Sequence, residues 1–502
     1  MKRAHLRTFR LAHAAWLFGI FAFFIPAATW NPVSRFNLTR AIVENGTLSV
    51  DPYVTSTGDR ALVNGRWYSD KAPVVAFLSV PAYAAMRVTQ SLRGSRPEYR
   101  AYSTPKVPAA RVIPNKAFTQ ALYVCSLSTS GVAGVAVGLL LFEFLRRRTT
   151  FRAAFIASSV AILGTPMLPY ATSLYGHVPA AALILGAIVC LDRRGSRPRG
   201  AFPTNRNLTI AGACLALAAG VEYLTAVPVL LVGVWFLIPL SWHERLRAVG
   251  RMALGAALPA LLVGAYQTAL FGAPWRTGYS FEDRPEFAAG HAIGLLGIHL
   301  PHWDGIFGLS FGVRRGLFYL APVLVLGLFF TLRYVARRRD WATIAGLIVL
   351  FSLFFLNAGY YMWWGGASAG PRHLMPGLAF LAVGLAAVVR TKYRIVRALG
   401  AVLALVSVAN CVAVTLVGIE APEQGDILRG FVWPRFRAAH FASMNGASNL
   451  GLKLGLSPVA SVLPLLAWGV LGYQYLLRQN PRRERRKVMK PNEGNHEKKQ
   501  LV

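Results

Sequence analysis

The sequence predicts an all-α integral membrane protein of about twelve transmembrane helices, with a long first external loop that contains interfacial helices. Of its 502 residues, 55% are hydrophobic and only 15% are charged, whereas a soluble protein carries roughly 25% charged residues. Apolar runs of about 20 residues, each long enough to cross a bilayer as a helix, recur from end to end. The net charge of +34 lies in short clusters between these runs, which is typical of the positive-inside rule and does not indicate a nucleic-acid partner.

The basic clusters predict how the chain crosses the membrane. If Arg- and Lys-rich turns such as 193–206 and 333–339 lie in the cytoplasm, the apolar material between neighbouring clusters must cross twice. Both termini are then cytoplasmic, in the inner or plasma membrane of the cell. The predicted spans lie near 11–30, 118–145, 153–172, 178–191, 207–221, 223–240, 252–271, 316–332, 341–357, 374–389, 398–419 and 451–477.

Two regions follow from this topology. Residues 1–477 are expected to form one transmembrane domain, and the basic segment 478–502 is expected to be a disordered cytoplasmic tail attracted to anionic lipid. The four cysteines lie in or beside apolar segments without metal-ligand spacing, which indicates small core residues. No metal site and no cofactor are predicted, although the acidic residues described next could also bind a divalent cation.

The first external loop, 31–117, is rich in acidic residues for this chain. Asp51 precedes a proline and Asp59 follows a glycine, so each is as compatible with a turn as with catalysis. Together with Asp70, they could instead supply a general base. Glu44 follows a short helical pattern and is expected to face water, and the segment after it is expected to lead to an interfacial helix over 73–88.

Two short motifs in this loop resemble the GT-C membrane glycosyltransferases, which include protein mannosyltransferases and lipid A aminoarabinose transferases. The segment Tyr68 to Pro73, Tyr-Ser-Asp-Lys-Ala-Pro, is similar to the family's Tyr-x-acid-Lys-Pro-Pro element, and Arg35 with Phe36 is similar to its loop opening. The resemblance implies a GT-C-like fold and an inverting transfer of a sugar from a polyprenyl-phosphate donor. The acceptor would be a lipid, glycan or protein at the external face, and Arg35 would contact substrate.

The resemblance also implies roles for the loop's charged residues. The family usually has its catalytic acid just before the Arg-aromatic pair, where this chain has Ser34. Because a serine hydroxyl is a poor base at neutral pH, the base would come from later in the loop; we rank Asp51 first, Asp59 second and Asp70 third. Lys71 would contact the donor phosphate and stabilise the charge that develops on it.

Two polar residues elsewhere are candidates because they lie on the same predicted side. His177 follows Tyr-Gly in a short external turn, where it is either an interfacial hydrogen-bonding residue or a substrate contact. Glu222 lies between two predicted spans, and an acid at that depth needs either a partner such as arginine or a functional role.

The second external loop, 272–315, ends in a pair of arginines. Its Glu282, Asp283 and Glu286 alternate with Arg284 and are expected to form a solvated, salt-linked turn. Arg315 begins a span on the side where positive charge is disfavoured, so it either grips a phosphate bidentately or extends to the lipid headgroups.

The segment Gly365 to Arg372 resembles the Gly-x-x-x-x-Gly-Pro-Arg element of the same families. Its glycines permit an irregular backbone, which is stable at membrane depth only when it is buried in protein or lines a cavity. Arg372 would then be a further phosphate or sugar contact.

A multi-pass transporter or lipid flippase for a phosphate-bearing or lipid-linked substrate is the alternative function. Such a protein places ionisable residues within its spans and has paired, interrupted helices in its two halves. Here the unusual residues gather on one predicted face, which favours an enzyme.

Overall fold

The structure, a computed structural model, describes residues 3–104, 112–195, 201–442 and 445–479. Within these ranges the chain is mostly helical, and its strands form three two-stranded antiparallel ribbons. The predicted all-α fold class is therefore confirmed. The basic tail from residue 480 onward and residues 196–200 of the predicted loop 193–206 lie outside the described residues.

Helices in the first half of the chain surround the first external loop and build one side of the bundle. They are α1 Arg3–Phe23, α2 Trp30–Asn45, α3 Val74–Leu92, α4 Lys116–Ser126, α5 Val132–Arg146, α6 Phe151–Leu163, α7 Met167–Ala171, α8 His177–Leu191, α9 Asn205–Val221, α10 Ala226–Leu237 and α11 Trp242–Phe271. A π-helical turn over Leu127–Gly131 joins α4 to α5, so these two form one long helix.

Helices in the second half range from single turns to long apolar helices. They are α12 Pro285–His291, α13 Trp303–Ser310, α14 Leu317–Leu320, α15 Val323–Arg338, α16 Trp341–Ala358, α17 Met375–Leu378, α18 Ala382–Arg390, α19 Arg394–Val417, α20 Trp433–Arg437, α21 Leu450–Lys453 and α22 Leu463–Arg478. The strands are β1 Phe24–Ile25, β2 Ala61–Val63, β3 Arg66–Tyr68, β4 Ala101–Ser103, β5 Val112–Pro114 and β6 Ser448–Asn449, paired β1 with β6, β2 with β3 and β4 with β5.

Every predicted span contains a helix, but the helices differ in length. Six helical segments of the described chain are long and apolar enough to cross a membrane: Lys116–Arg146, Trp242–Phe271, Trp341–Ala358, Arg372–Arg390, Arg394–Val417 and Ala460–Arg478. The last predicted span, 451–477, was placed too early, because α21 ends at Lys453 and the chain becomes helical again only from Ala460. The first, 11–30, was placed too late, because α1 ends at Phe23 and β1 follows.

The largest departure from the predicted organisation is α2, where the sequence predicted mostly loop. This helix contains proline only in its first turn, where proline is tolerated, and it ends at Gly46 with a φ of 63°. Residues 32–41 are all buried. Its polar side chains find partners inside the protein, as Asn37 donates to the Ser56 hydroxyl at 2.9 Å and Thr39 to the Ala76 carbonyl at 3.1 Å. The polar residues of this segment indicated a loop, because the sequence does not show that they have hydrogen-bond partners inside the protein.

Glu44, at the end of α2, was predicted to face water, and the structure contradicts this prediction. Its carboxylate accepts hydrogen bonds from Arg40 at 3.1 Å, from the Tyr53 hydroxyl at 3.1 Å and from the Tyr83 hydroxyl on α3. The predicted interfacial helix is present as α3 and packs against α2. Glu44 therefore fastens the two helices together, and the first external loop is a packed unit.

The other predicted features of the core agree with the structure. Cys125 and Cys411 are buried, Cys190 and Cys214 are half-buried, and all four are free thiols. The main hydrophobic cluster runs through α1, α5, α6, α8 and α16–α18, and two smaller clusters lie under α2, α3 and the β2–β3 hairpin. These smaller clusters fix the first external loop against the bundle, above the amino end of α8.

Candidate functional site

The β2–β3 hairpin brings together two acids that are far apart in the first external loop. Its turn is Asn64-Gly65, and both residues have positive φ, 50° and 77°, as a two-residue hairpin turn requires. Ala61 pairs with Tyr68 at the open end, so Asp59, before the first strand, and the Asp70–Lys71 pair, after the second, must lie side by side. An Asn-Gly turn between short apolar segments is the sequence signal that could have predicted this contact.

Lys71 is the centre of the resulting cluster. Its ammonium lies 3.0 Å from the Asp59 carboxylate and also contacts Asp70, and all three side chains are at least 88% buried, with exposed fractions of 12%, 10% and 0% for Asp59, Lys71 and Asp70. Burial raises the pKa of Asp59, and the attraction of Lys71 does not fully cancel this effect. Burial acts to lower the pKa of Lys71, but the two carboxylates outweigh it and hold that pKa well above its usual value.

Ser34, at the position where the resemblance implies an acid, belongs to the same cluster. Its hydroxyl donates to Asp70 at 3.1 Å and lies 2.8 Å from the Ser69 hydroxyl. Asp70 therefore accepts from Ser34 and Lys71 while fully buried, which is the environment of a positioning group. Asp59 faces open space.

That space is a cavity of about 190 Å³ between the external loops and the helix ends. Its wall contains Asp59 and Lys71 from the first external loop, His177 from α8, and Arg372 from the segment Gly365 to Arg372, called the glycine segment below. Aromatic rings form much of the remainder: Trp30, Tyr175, Tyr279, Phe287, Tyr360 and Tyr361. A concave site with aromatic walls and a few convergent polar groups is the usual form of a small-molecule site.

Carboxylates outnumber cations on this wall, although the whole chain is strongly basic. The five acidic residues that line the cavity are Asp59, Glu222, Glu282, Glu420 and Glu423, against the two cations Lys71 and Arg372. Basic side chains are therefore concentrated elsewhere on the molecule, and Lys71 and Arg372 are the cations among the described lining residues that an anionic group would meet.

Glu282 was predicted to belong to a solvated turn, and the structure corrects that expectation. Its neighbours do form salt links, Arg284 with Glu286 at 2.6 Å and Asp283 with Arg60 at 2.9 Å. Glu282 itself is 9% exposed and lines the cavity. Burial and the nearby Asp70 raise its pKa well above the usual carboxyl value.

The glycine segment contributes a further part of the cavity wall, and its backbone is irregular, as predicted. Gly365, Gly366 and Gly370 all have positive φ, between 69° and 70°, a region that residues with a Cβ rarely enter. Gly365 and Gly366 line the cavity, which confirms the prediction that this backbone is irregular because it borders a cavity. Arg372 follows, with its guanidinium 5.5 Å from the Tyr175 ring centre and a buried Nε that has no hydrogen-bond partner among the described residues.

Arg315 does not line the cavity. It is 1% exposed, and its guanidinium donates to the backbone carbonyls of Trp364 at 3.0 Å, Gly366 at 2.8 Å and Pro422 at 2.9 Å. Its donors are thus used to hold the glycine segment in place. The geometry assigns Arg315 a positioning contact in place of the predicted phosphate contact.

Arg35 also connects separate segments inside the protein. It donates to the Asn31 side chain at 3.1 Å, to the Ala72 carbonyl at 3.0 Å and to the Glu222 carboxylate at 3.3 Å. These bonds connect α2, the residue after Lys71 and the turn after α9. Glu222 therefore has the arginine partner that its depth required, and it also lines the cavity.

Asp51, the first-ranked base, lies outside the cavity. It is exposed at the start of a 3₁₀ turn over Asp51–Ser56, and its carboxylate accepts from the Trp67 backbone N–H at 2.6 Å. This is the turn role that the sequence offered as the alternative. Of the predicted site residues, the structure brings together Asp59, Asp70, Lys71, His177 and Arg372, and it separates Asp51, Arg35 and Arg315 from the open space.

Searches against known proteins give structural neighbours only. No protein-family model and no curated sequence matches the chain. ArnT from Cupriavidus metallidurans in its apo state has a TM-score of 0.48 at 15% identity, over 95% of this chain and 76% of ArnT. The same protein bound to undecaprenyl phosphate has a TM-score of 0.46 at 14% identity, over 96% and 77%.

The apo oligosaccharyltransferase of Archaeoglobus fulgidus has a TM-score of 0.44 at 13% identity, over 84% of this chain and 57% of the transferase, so this chain spans little more than half of that protein.

Proposed function

We propose that the protein is a membrane glycosyltransferase that moves a sugar from a polyprenyl-phosphate donor to an acceptor at the external face, with inversion. The observation that carries this proposal is the arrangement of one cavity: a buried Asp59–Lys71–Asp70 cluster and Arg372, whose Nε has no hydrogen-bond partner among the described residues, belong to the same aromatic-walled space. A base and phosphate-binding cations around one sugar-sized space are what such a transfer requires.

Arg372 and Lys71 bind the leaving phosphate in this proposal. A guanidinium presents a planar fork that matches two phosphate oxygens, and the buried Nε of Arg372 has no hydrogen-bond partner in the part of the chain that the structure describes. The Lys71 ammonium has three N–H donors, of which Asp59 and Asp70 occupy two. The third is directed to the phosphate and stabilises the charge that develops as the bond from the anomeric carbon to oxygen breaks.

Asp59 is the proposed base. It takes the proton from the acceptor hydroxyl as that oxygen bonds to the anomeric carbon on the face opposite the phosphate. Its raised pKa favours this role, because a base works best when its pKa approaches the working pH. Asp70 has its oxygens engaged by Ser34 and Lys71, so it positions the lysine.

The proposed setting of the enzyme follows the sequence prediction. Residues 1–477 form one transmembrane domain in the cell membrane with both termini in the cytoplasm, and the cavity opens toward the external face. The donor's polyprenyl chain stays in the bilayer while its phosphate and sugar reach the cavity. The acceptor is a lipid, glycan or protein that presents a hydroxyl.

The test uses the full chain in proteoliposomes supplied with polyprenyl-phosphate-linked sugars and an extract of membrane lipids as acceptors. The wild-type protein should release free polyprenyl phosphate and form a glycosylated product, whereas Asp59→Asn and Arg372→Ala should not. Arg66→Ala is a matched control, because Arg66 lies on the same hairpin and is exposed to solvent.

Two results would overturn the proposal. Donor consumption that is equal in wild type, Asp59→Asn and Arg372→Ala would separate the cavity from the chemistry. Movement of an intact sugar-lipid across the bilayer, without release of free polyprenyl phosphate, would make the protein a flippase instead.

A further inference from the structure

Beside the proposed transfer machinery, three residues from separate parts of the chain form a compact group of metal-ligand type. His177 begins α8, Glu222 follows α9, and His373 follows the glycine segment. One ligand atom from each lies within 4.8 Å of the others. Because the three lie far apart in sequence, their spacing could not indicate a site, and the sequence analysis predicted none.

The two histidines lack the partners that buried imidazoles normally have. His177 is 2% exposed, and neither of its ring nitrogens forms a hydrogen bond among the described residues. The Nδ1 of His373 is likewise buried without a partner. Burying a polar atom without a partner costs about 1–3 kcal/mol, and a ligand that accepts lone pairs from both rings would remove that cost.

The backbone around His177 is shaped for a close approach to Glu222. A Cβ added at Gly176 would lie 2.5 Å from the Val221 carbonyl oxygen and 2.8 Å from a Glu222 carboxylate oxygen, so only glycine fits there. This contact places the His177 Nδ1 3.4 Å from that carboxylate oxygen. Two ligands about 2.0–2.1 Å from a tetrahedral zinc ion lie about 3.4 Å apart, which agrees with this spacing.

The Glu222 carboxylate is held from outside the group. Arg35 donates to it at 3.3 Å, and metal-ligating carboxylates are commonly held by such a hydrogen bond from outside the ligand set. All three ligands line the cavity, which leaves a fourth coordination position open to it.

We infer that His177, Glu222 and His373 form a binding site for a divalent transition metal of the zinc class, with an open position toward the cavity. Two histidines and one carboxylate with an open position are the ligand set of catalytic zinc sites in other folds. This inference goes beyond the proposed transfer and does not depend on it, because the metal would bind whether or not the cavity holds a sugar donor.

The experiment measures metal directly. The full chain, purified in detergent with a tag that lacks histidine, is stripped with a chelator, dialysed, and titrated with zinc chloride alone. We expect about one zinc ion per chain by elemental analysis, together with a rise in the thermal unfolding temperature that is saturable in zinc.

Three single variants and one control decide the assignment. His177→Gln, His373→Gln and Glu222→Gln should each weaken zinc binding by about a hundredfold or more, since loss of even an outer-shell partner costs about 10- to 100-fold. His291→Gln should bind zinc as the wild type does, because His291 lines the same cavity but bonds to the Tyr360 hydroxyl at 2.9 Å instead.

Each outcome is informative, including misfolding of one variant. If a glutamine variant fails to fold, the other two and cobalt substitution of the wild type, read by its visible absorption, still report a three-ligand site. The inference is overturned if the stripped wild type binds no zinc above the His177→Gln background, or if His291→Gln loses as much affinity as the ligand variants. Transfer activity is not part of the readout, so failure of the proposed function would leave this result interpretable.

Discussion

Two buried ionic clusters lie at opposite ends of α8, and they differ in how completely their polar groups are paired. At the carboxyl end, Arg148 is 1% exposed and donates to Asp192 at 2.9 Å, to Asp340 at 2.8 Å and to the Phe144 carbonyl at 3.0 Å. At the amino end, His177 has no hydrogen-bond partner among the described residues. The Arg148 cluster joins the ends of α5 and α8 to the start of α16. The polar groups around the cavity, by contrast, include hydrogen-bonding atoms that have no partner among the described residues.

This difference indicates which charges hold the fold and which are available to a ligand. A buried polar group that lacks a partner costs free energy, so proteins retain it where a ligand or substrate completes it. By this criterion Arg148 and Arg315 are structural, and Arg372 and His177 are available. All four are basic or polar residues at helix ends, and the sequence alone did not separate them.

The largest expected effect is at Asp59, and it tests whether the cavity cluster performs chemistry. Asp59→Asn should lower the rate of transfer by about 10²–10⁴-fold, because it removes the proposed base while keeping a similar shape. The rate of donor consumption and the thermal unfolding temperature should be measured together. Asp51→Asn is the informative comparison. The ranking of candidate bases from the sequence predicts that the loss of transfer rate occurs at Asp51, whereas the geometry predicts that it occurs at Asp59.

Arg148 tests the other cluster, where stability should respond and catalysis should not. Arg148→Met removes the buried partner that Asp192 and Asp340 share and leaves them only Arg147 at 3.5 Å and Arg194 at 2.7 Å, which should destabilise the protein by up to about 3–5 kcal/mol. Arg152→Met is the control, since Arg152 is exposed and surface changes are usually worth less than about 0.5 kcal/mol. Unfolding curves in detergent would give both values, and equal destabilisation by the two variants would contradict the assignment.

Arg372 and Arg315 sharpen the comparison within one wall of the cavity. Arg372→Ala should lower transfer by about a hundredfold with little change in unfolding temperature, and Arg372→Lys should restore only part of it, because an ammonium lacks the planar fork. Arg315→Ala should instead lower the unfolding temperature, since four backbone carbonyls lose their donor. The opposite pattern would return Arg315 to the phosphate.

Acidification gives the smallest and most graded effect. The raised pKa of Asp59 means that it gains a proton above the ordinary carboxyl value of about 4, so transfer should fall about tenfold per pH unit below that raised pKa. Asp340 behaves oppositely. Burial acts to raise its pKa, but Arg148 outweighs burial and holds the folded-state pKa below the unfolded one.

The stability that Asp340 contributes is therefore complete above its unfolded pKa and is lost only as the pH falls through the lower, folded value. Transfer should disappear before the fold does as the pH is lowered. Rates and unfolding temperatures measured over the same pH series would check the order, and simultaneous loss of both would contradict it.

The helices and part of the site could be predicted from the sequence, for identifiable reasons. Long apolar runs predicted the helices, because a helix in lipid satisfies the hydrogen bonds of its own backbone within one segment. Lys71 and Arg372 could be selected because their motifs carry a resemblance, and the left-handed glycines before Arg372 followed from the same string.

The remaining site residues depended on contacts between separate segments, of which the Asn64-Gly65 hairpin turn left a local signal in the sequence. Asp59 reaches Lys71 only because β2 and β3 pair in one register, and the order of preference gave Asp51 first place because it ignored that pairing. Arg315 looked available because its partners are backbone carbonyls from two distant segments. Most of helix α2 was predicted to be loop, because its buried polar residues form hydrogen bonds with groups that lie elsewhere in the chain.

The shortness of α8 has a consequence for how substrates arrive. Its 15 residues span about 22 Å at about 1.5 Å per residue, whereas the hydrocarbon core of a bilayer is about 30 Å thick. A helix of this length with an ionic cluster at each end leaves one cluster below the membrane surface unless the bilayer thins around it. In the proposed transfer, a prenyl-linked headgroup would then enter the cavity by lateral diffusion, while a water-soluble acceptor would have to descend to meet it.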